Sequence, residues 1–330
     1  MNKKKLLYGI LGSMLIPLLY GCGEKTEKTD EAEKTTEYTE EKTDEGFNDT
    51  LRIDEKEIII PGVQGEHEFV VVNDQHIIQL SDEYTDEKSE EVEQRYNSFR
   101  NVNRTLSSDA WMEIVKKINE IQPDGVILDG DMVDFFSESN VACLKDGLDQ
   151  IQVPAMYVRA DHDLALWYND TFTPEYVQAR EKEIWPMEDV MVQEFENFLI
   201  VGINNNTSQL SENGLEKIKE IWKQNKPIIL AMHVPLESKI DNGLSNASKE
   251  IWQDRALIWG KNSCYVPSEI TEQFLNMVYR EDSPVVAVLG AHLHFAYEDQ
   301  INDNIKQYVF DASYKGTIGL VTVKGELGEN

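Results

Sequence analysis

The sequence predicts an α/β domain. Two observations carry that reading: short apolar runs recur along the chain, and residues at helical spacing lie between them. The runs are Phe69-Val70-Val71-Val72, Gly125-Val126-Ile127-Leu128, Ala155-Met156-Tyr157-Val158, Ile228-Ile229-Leu230-Ala231-Met232 and Val285-Val286-Ala287-Val288-Leu289. A strand covered on both faces is continuously apolar rather than alternating, so each run reads as a buried strand. Trp111, Ile114, Val115, Ile118 and Ile121 repeat at the helix period, as do Leu215, Ile218 and Trp222. Both stripes read as core packing. Segments 295–311 and 316–324 read as hairpin strands without helices, and no internal repeat is visible.

The chain has 330 residues, 41% of them hydrophobic, enough for one large domain or two small ones. Its 61 acidic residues face 31 basic ones, a formal charge of −30. Such a surface repels a phosphate backbone, which argues against general nucleic-acid binding. Three cysteines exclude a disulfide-rich scaffold and a cysteine-based zinc module.

The first 22 residues read as an address rather than as structure. Lys3, Lys4 and Lys5 precede an apolar stretch over 6–19, too short for a confident membrane span and long enough for a signal peptide. It ends in Leu18-Leu19-Tyr20-Gly21-Cys22, which resembles the lipobox of bacterial lipoproteins, with Tyr20 bulkier than usual. The resemblance implies cleavage before Cys22, lipidation of its thiol, and a lipid anchor on the extracytoplasmic face of the cell membrane. Segment 23–50 is acidic and threonine-rich with almost no apolar residue; it reads as a disordered tether. Residues 51–330 form the folded domain.

The chemistry gathers where strands end. The run 69–72 leads into Asp74-Gln75-His76, and 125–128 into Asp129-Gly130-Asp131-Met132-Val133-Asp134. The run 155–158 leads into Arg159-Ala160-Asp161-His162-Asp163, 228–232 into His233, and 285–289 into Ala291-His292-Leu293-His294. Five of six histidines thus fall just past an apolar run. Loops at the carboxyl ends of strands are where α/β proteins build sites. One such histidine is ordinary; five in series are not. His67 lies before its strand and reads as structural. Imidazole and carboxylate together bind zinc, iron or manganese, and these ligands are too many for one tetrahedral ion. Two ions sharing a carboxylate would use them all.

The series DQH, GDMVD, ADHD, H and AHLH resembles the calcineurin-like metallophosphoesterase superfamily over nearly all of the folded part. The resemblance implies two mixed β-sheets packed as a sandwich between helices. It also implies a hydrolase acting on a small-molecule or protein phosphate ester, with two divalent or trivalent ions of manganese, iron or zinc. Asp74, His76 and His294 would hold one ion, and His233, His292 and Asp161 the other, with Asp131 bridging. His162 would approach the leaving group and Asp163 would orient it. Gln79–Tyr84 also resembles the first motif, with Tyr84 in the histidine position, but Asp74 and His76 supply both ligands.

Asp161 stands where the family has asparagine, and Ala160 and Ala291 where it usually has glycine. Alanine fits only if the backbone there avoids positive φ. The aspartate adds charge and removes an amide donor. It is the one support for an alternative reading, a non-catalytic binding lipoprotein on the same fold. Arg159, beside the same loop, is a candidate phosphate contact. Substrate, oligomeric state and any pairing of Cys143 with Cys264 stay open.

Overall fold

The structure, a computed structural model, describes residues 51–84, 86–168, 171–204 and 208–326. The expected signal peptide, Cys22 and the acidic tether lie outside these residues. Among the described residues no helix is long and apolar enough to cross a membrane, and no disulfide joins Cys143 to Cys264.

Among the described residues eleven strands build two sheets. In chain order the strands are β1 (Arg52–Ile59), β2 (Glu66–Val72), β3 (Gly125–Asp129), β4 (Ala155–Val158), β5 (Val190–Glu194), β6 (Leu199–Ile203), β7 (Ile228–Ala231), β8 (Val285–Gly290), β9 (Tyr297–Asn302), β10 (Ile305–Val309) and β11 (Thr317–Lys324). The first sheet has the order β1-β11-β2-β3-β4 and the second β5-β6-β7-β8-β10-β9. Both are mixed: β2, β3 and β4 run parallel while β11 lies antiparallel to β2. Likewise β6, β7, β8 and β10 run parallel between the antiparallel edge strands β5 and β9. The expected sandwich of two mixed sheets is what forms.

Alternation along each strand sorts its side chains into layers. Phe69, Val71, Ile127, Met156 and Val158 of the first sheet meet Phe198, Ile200, Ile229, Ala231 and Leu289 from the second in one buried cluster between the sheets. Val70, Val72, Val126, Leu128 and Tyr157 point the other way, onto helices α2 (Ser107–Ile121), α3 (Glu138–Leu148) and α4 (Pro174–Ile184), the expected Trp111 stripe among them. On the far side, Leu199, Val201, Leu230 and Val288 pack against α5 (Glu212–Trp222) and α7 (Glu269–Val278). α1 (Asp86–Ser98) and α6 (Gly243–Ile251) lie outside these two stripes. The result is four layers, helices outside and sheets within.

One expectation changes. The C-terminal strands do not form a single hairpin set. β9 and β10 pair as a hairpin in the second sheet, whereas β11 crosses to the first and inserts between β1 and β2. The turn Ser313–Lys315 and Gly316, at φ 86°, redirect the chain. β11 buries Val321 and Val323 between the sheets and Ile318 on the helix side, so it fits a central position rather than an edge.

Candidate metal centre

The carboxyl ends of β2, β3 and β4 in one sheet and of β7 and β8 in the other open onto a common edge of the sandwich, and the loops there are laced together. Asp74 N donates to Gly130 O (2.9 Å) and His76 N to Asp131 O (2.9 Å). Across the sheets, His233 Nδ1 donates to Asp129 O (2.7 Å) and His292 N to Asp74 Oδ2 (3.0 Å). Gly130, at φ 81°, permits this approach, since a Cβ there would lie 2.6 Å from His233 Nδ1. Ala160 and Ala291 both avoid positive φ, as alanine requires.

Asp74, His76 and His294 converge, with His76 Nε2 3.1 Å from His294 Nε2 and Asp74 Oδ1 3.3 Å from His294 Nε2. Asp131, His233 and His292 form a second group, with His233 Nε2 3.1 Å from Asp131 Oδ2 and 3.3 Å from His292 Nδ1. Asp131 Oδ2 also lies 4.0 Å from His76 Nε2, between the two groups. Asp161 joins Asp131 and His162 rather than the two histidines in its closest cluster. Tyr84 is elsewhere, its hydroxyl on Gln79 O, and His67 stands against Phe195 and Phe198.

The donor atoms fit cations. His76 Nδ1 donates to Asp134 Oδ1 (2.8 Å) and His233 Nδ1 to a carbonyl, so on each neutral ring Nε2 is the free lone pair. Ring nitrogens of neighbouring histidines face one another at 3.1 and 3.3 Å. Two nitrogens bound about 2.0–2.1 Å from one ion sit about 2.9–3.4 Å apart, so these separations are edges of a coordination polyhedron. Asp74 Oδ1 is buried and accepts no hydrogen bond.

Electrostatics agree. Burial lowers His76 to about 4, with His162 and His294 adding to the effect, and burial and His233 lower His292 to about 3, so both rings are neutral. Burial works against the charge of Asp74, but His294 and His233 hold it ionised well below the usual range. Burial likewise opposes ionisation of Asp131, which His233 and His162 overcome. Burial and Asp131 push Asp161 upward. At His233 burial opposes protonation, but Asp131 and Asp74 outweigh it and hold the ring well above its ordinary value. A ligand nitrogen must shed that proton. Loading chelated protein near neutral pH is therefore expected to release about one proton per chain from His233, and apparent affinity to fall about tenfold per unit as pH drops. A pH-stat titration reads this directly; affinity independent of pH between about 6 and 8 would refute it.

Two expected roles are corrected. Asp163 does not touch the His162 ring. Its carboxylate accepts from the backbone N–H of Asp131 (3.1 Å), Met132 (2.8 Å), Val133 (3.2 Å) and Ala160 (2.8 Å) and from the Tyr157 hydroxyl (2.7 Å), so it shapes the loop that carries Asp131. The place beside His162 belongs to Asp134, whose carbonyl accepts from His162 Nδ1 (2.7 Å) and whose Oδ1 lies 3.3 Å from it. Arg159 makes no phosphate-facing contact. It is buried in an ion pair with Glu181 (2.8 Å) and donates to the carbonyls of Glu181, Trp185 and Pro186. The loop backbone turns its side chain down toward α4, away from the centre.

Sequence reasoning also missed Arg95 on α1, which grips Asp134 with two nitrogens (2.9 and 2.6 Å). Asp134 thereby steadies His76 and His162 together. Its place in GDMVD was a signal for Asp134; nothing in the polar sequence of α1 marked Arg95.

A sandwich that brings two histidine–aspartate clusters to adjoining strand ends is the frame of a two-metal hydrolase. The model of the calcineurin-like phosphoesterase family matches residues 67–296, and the chain belongs to that family. It is a metal-dependent phosphoesterase. None of the curated proteins matches it. Among solved structures it is similar to a dimetal phosphatase from Danio rerio, at 13% identity over 76% of this chain and 88% of that one, with a TM-score of 0.48. It is also similar to purple acid phosphatase PPD1 from yellow lupin seeds, at 14% identity, with a TM-score of 0.44; the match covers 79% of this chain and 44% of the lupin chain.

Proposed function

We propose that the protein hydrolyses a phosphate ester outside the cytoplasmic membrane, anchored there through Cys22, at a centre in which Asp131 is shared by two ions. Asp74, His76 and His294 would hold one ion; His233, His292 and Asp161, which reaches the centre beside Asp131, would hold the other. The observation that carries this reading is the position of Asp131 Oδ2 between His233 Nε2 (3.1 Å) and His76 Nε2 (4.0 Å). The ions, when bound, would acidify the attacking water and draw charge from the phosphoryl oxygens.

The chain's own groups do the rest. His162 supplies a proton. Its Nδ1 faces a carbonyl, which only accepts, so that nitrogen carries hydrogen. Burial opposes a second proton, yet Asp131 and Asp134 raise the ring to about 10, so Nε2 is protonated as well and faces the centre, 4.0 Å from Asp131 Oδ2. From there the proton reaches the departing alcohol oxygen as the phosphorus–oxygen bond breaks. The charge of bound cations lowers this pKa, which makes the proton easier to give up. Elemental analysis of chelated and then reconstituted protein should find two ions per chain, with activity returning in step. Protein that takes up one ion or none would overturn the assignment.

Asp161 sets the charge. Three carboxylates face the ions where the family has two and an amide, which weakens the pull on a dianion more than on a monoanion. Diesters are therefore expected to be favoured over monoesters. Asp161→Asn should raise monoester turnover relative to diester turnover, by roughly threefold to tenfold, and weaken metal binding. If both turnovers fall equally with unchanged metal affinity, charge is not how Asp161 acts.

The anchor rests on Leu19, Gly21 and Cys22 and the apolar stretch before them. Cys22→Ser should move the enzyme from the membrane fraction to the soluble one. Unchanged membrane retention would point to an uncleaved signal anchor.

A further inference from the structure

Two tryptophans stand against histidines of the centre. The Trp167 ring lies 4.5 Å from that of His162, with the planes 89° apart. The half-buried Trp252 ring lies 5.7 Å from His294, fixed by a hydrogen bond from its Nε1 to Leu293 O (3.0 Å).

Trp167 is held in an unusual way. Two residues before it, the buried Ala165 donates its N–H to His162 O (3.1 Å). Directly after it, the Tyr168 ring packs on Phe135 at 4.9 Å. Both neighbours are anchored, yet the indole is 48% exposed. A loop fastened on each side could have tucked this large ring into the adjoining cluster of Phe135, Ile78 and Ala165. It instead leaves much of an apolar surface in water beside His162, at the mouth of the centre.

We infer that Trp167 is a stacking surface for the leaving group, and that the substrate is a small phosphate ester whose leaving group carries a flat aromatic ring. The inference rests on the proposed hydrolysis at this centre. Aromatic pairing would hold such a ring against the indole while the ester oxygen meets His162. The surplus of 61 acidic residues over 31 basic ones disfavours a polyanionic polymer as the carrier of that ring.

Benzyl phosphate and cyclohexylmethyl phosphate test this. Their alcohols are close in size and basicity, but one ring is flat and the other puckered. Metal-loaded enzyme is expected to favour the benzyl ester in kcat/KM by about threefold to tenfold. Trp167→Ala should bring the ratio to about one, and Trp167→Phe should keep most of it. Equal rates in the wild type, a preference for the puckered ring, or a preference that survives Trp167→Ala would overturn the inference. If neither ester is turned over, and no diester is either, the hydrolytic reading fails separately. Calorimetric binding of benzylphosphonate against cyclohexylmethylphosphonate, in the wild type and in Trp167→Ala, then decides the stacking surface by the same ratio.

Discussion

Asp131→Ala is expected to lower kcat/KM by at least about a thousandfold, well beyond the 10- to 100-fold typical when only a ligand's supporting partner is lost. Both histidine groups meet at this carboxylate, so its removal weakens both proposed ions together. Its Oδ1 also accepts the backbone N–H of His162 (3.3 Å), so the loop that carries the proton donor loses a support at the same time. The residue sits in a loop whose amides are held by Asp163, and the scaffold should survive the change. Far-UV circular dichroism close to wild type, with metal content well below two ions per chain, is the expected pattern. Two retained ions and activity within tenfold of wild type would sink the shared-carboxylate assignment.

Arg159→Ala should act on stability instead. Arg159 and Glu181 are both buried, and deleting one partner strands the other charge, a loss of about 3–5 kcal/mol. Three backbone carbonyls each lose a hydrogen bond as well. Urea denaturation should therefore find a far lower midpoint. Arg159→Met combined with Glu181→Leu should recover most of it, because no buried charge is then left unpaired. A residue that bound phosphate would give the opposite pattern, an unchanged midpoint with a raised KM.

What the sequence revealed follows from where each signal resides. β2, β3, β4, β7 and β8 are covered on both faces, so their apolar runs stand out. β6 carries the same signal in Phe198-Leu199-Ile200-Val201, which was legible and not read. β1 and β5 are edge strands with several exposed residues, and their mixed composition resembles loop. The proposed ligands were legible because a strand end followed by histidine and aspartate is a local pattern. The supports were not, because they depend on chain segments far apart. Arg95 comes from a helix whose only fully buried apolar residue is Val92, so its sequence reads as solvated throughout. Arg159 beside a catalytic loop reads as a ligand contact until the direction of its side chain is known.

The backbone at the centre has a thermodynamic consequence. Asp74, His76, Asp131, His292 and His294 all adopt positive φ, between 45° and 70°. Outside glycine this region costs about 1–2 kcal/mol per residue, and Asp and His are among the types found there most readily. Five such residues together approach the net stability of a typical domain, about 5–15 kcal/mol, so packing between the sheets must hold them in place. That holding energy is spent during folding and not again when cations arrive. A centre with its dihedral angles already fixed has little conformational freedom left to lose, so most of each ion's coordination energy remains as affinity. The same rigidity makes the spacing of the two ions a property of the polypeptide. A cation of a different preferred radius would have to accept the geometry offered, and the scaffold rather than the solution around it would set which metals the enzyme keeps.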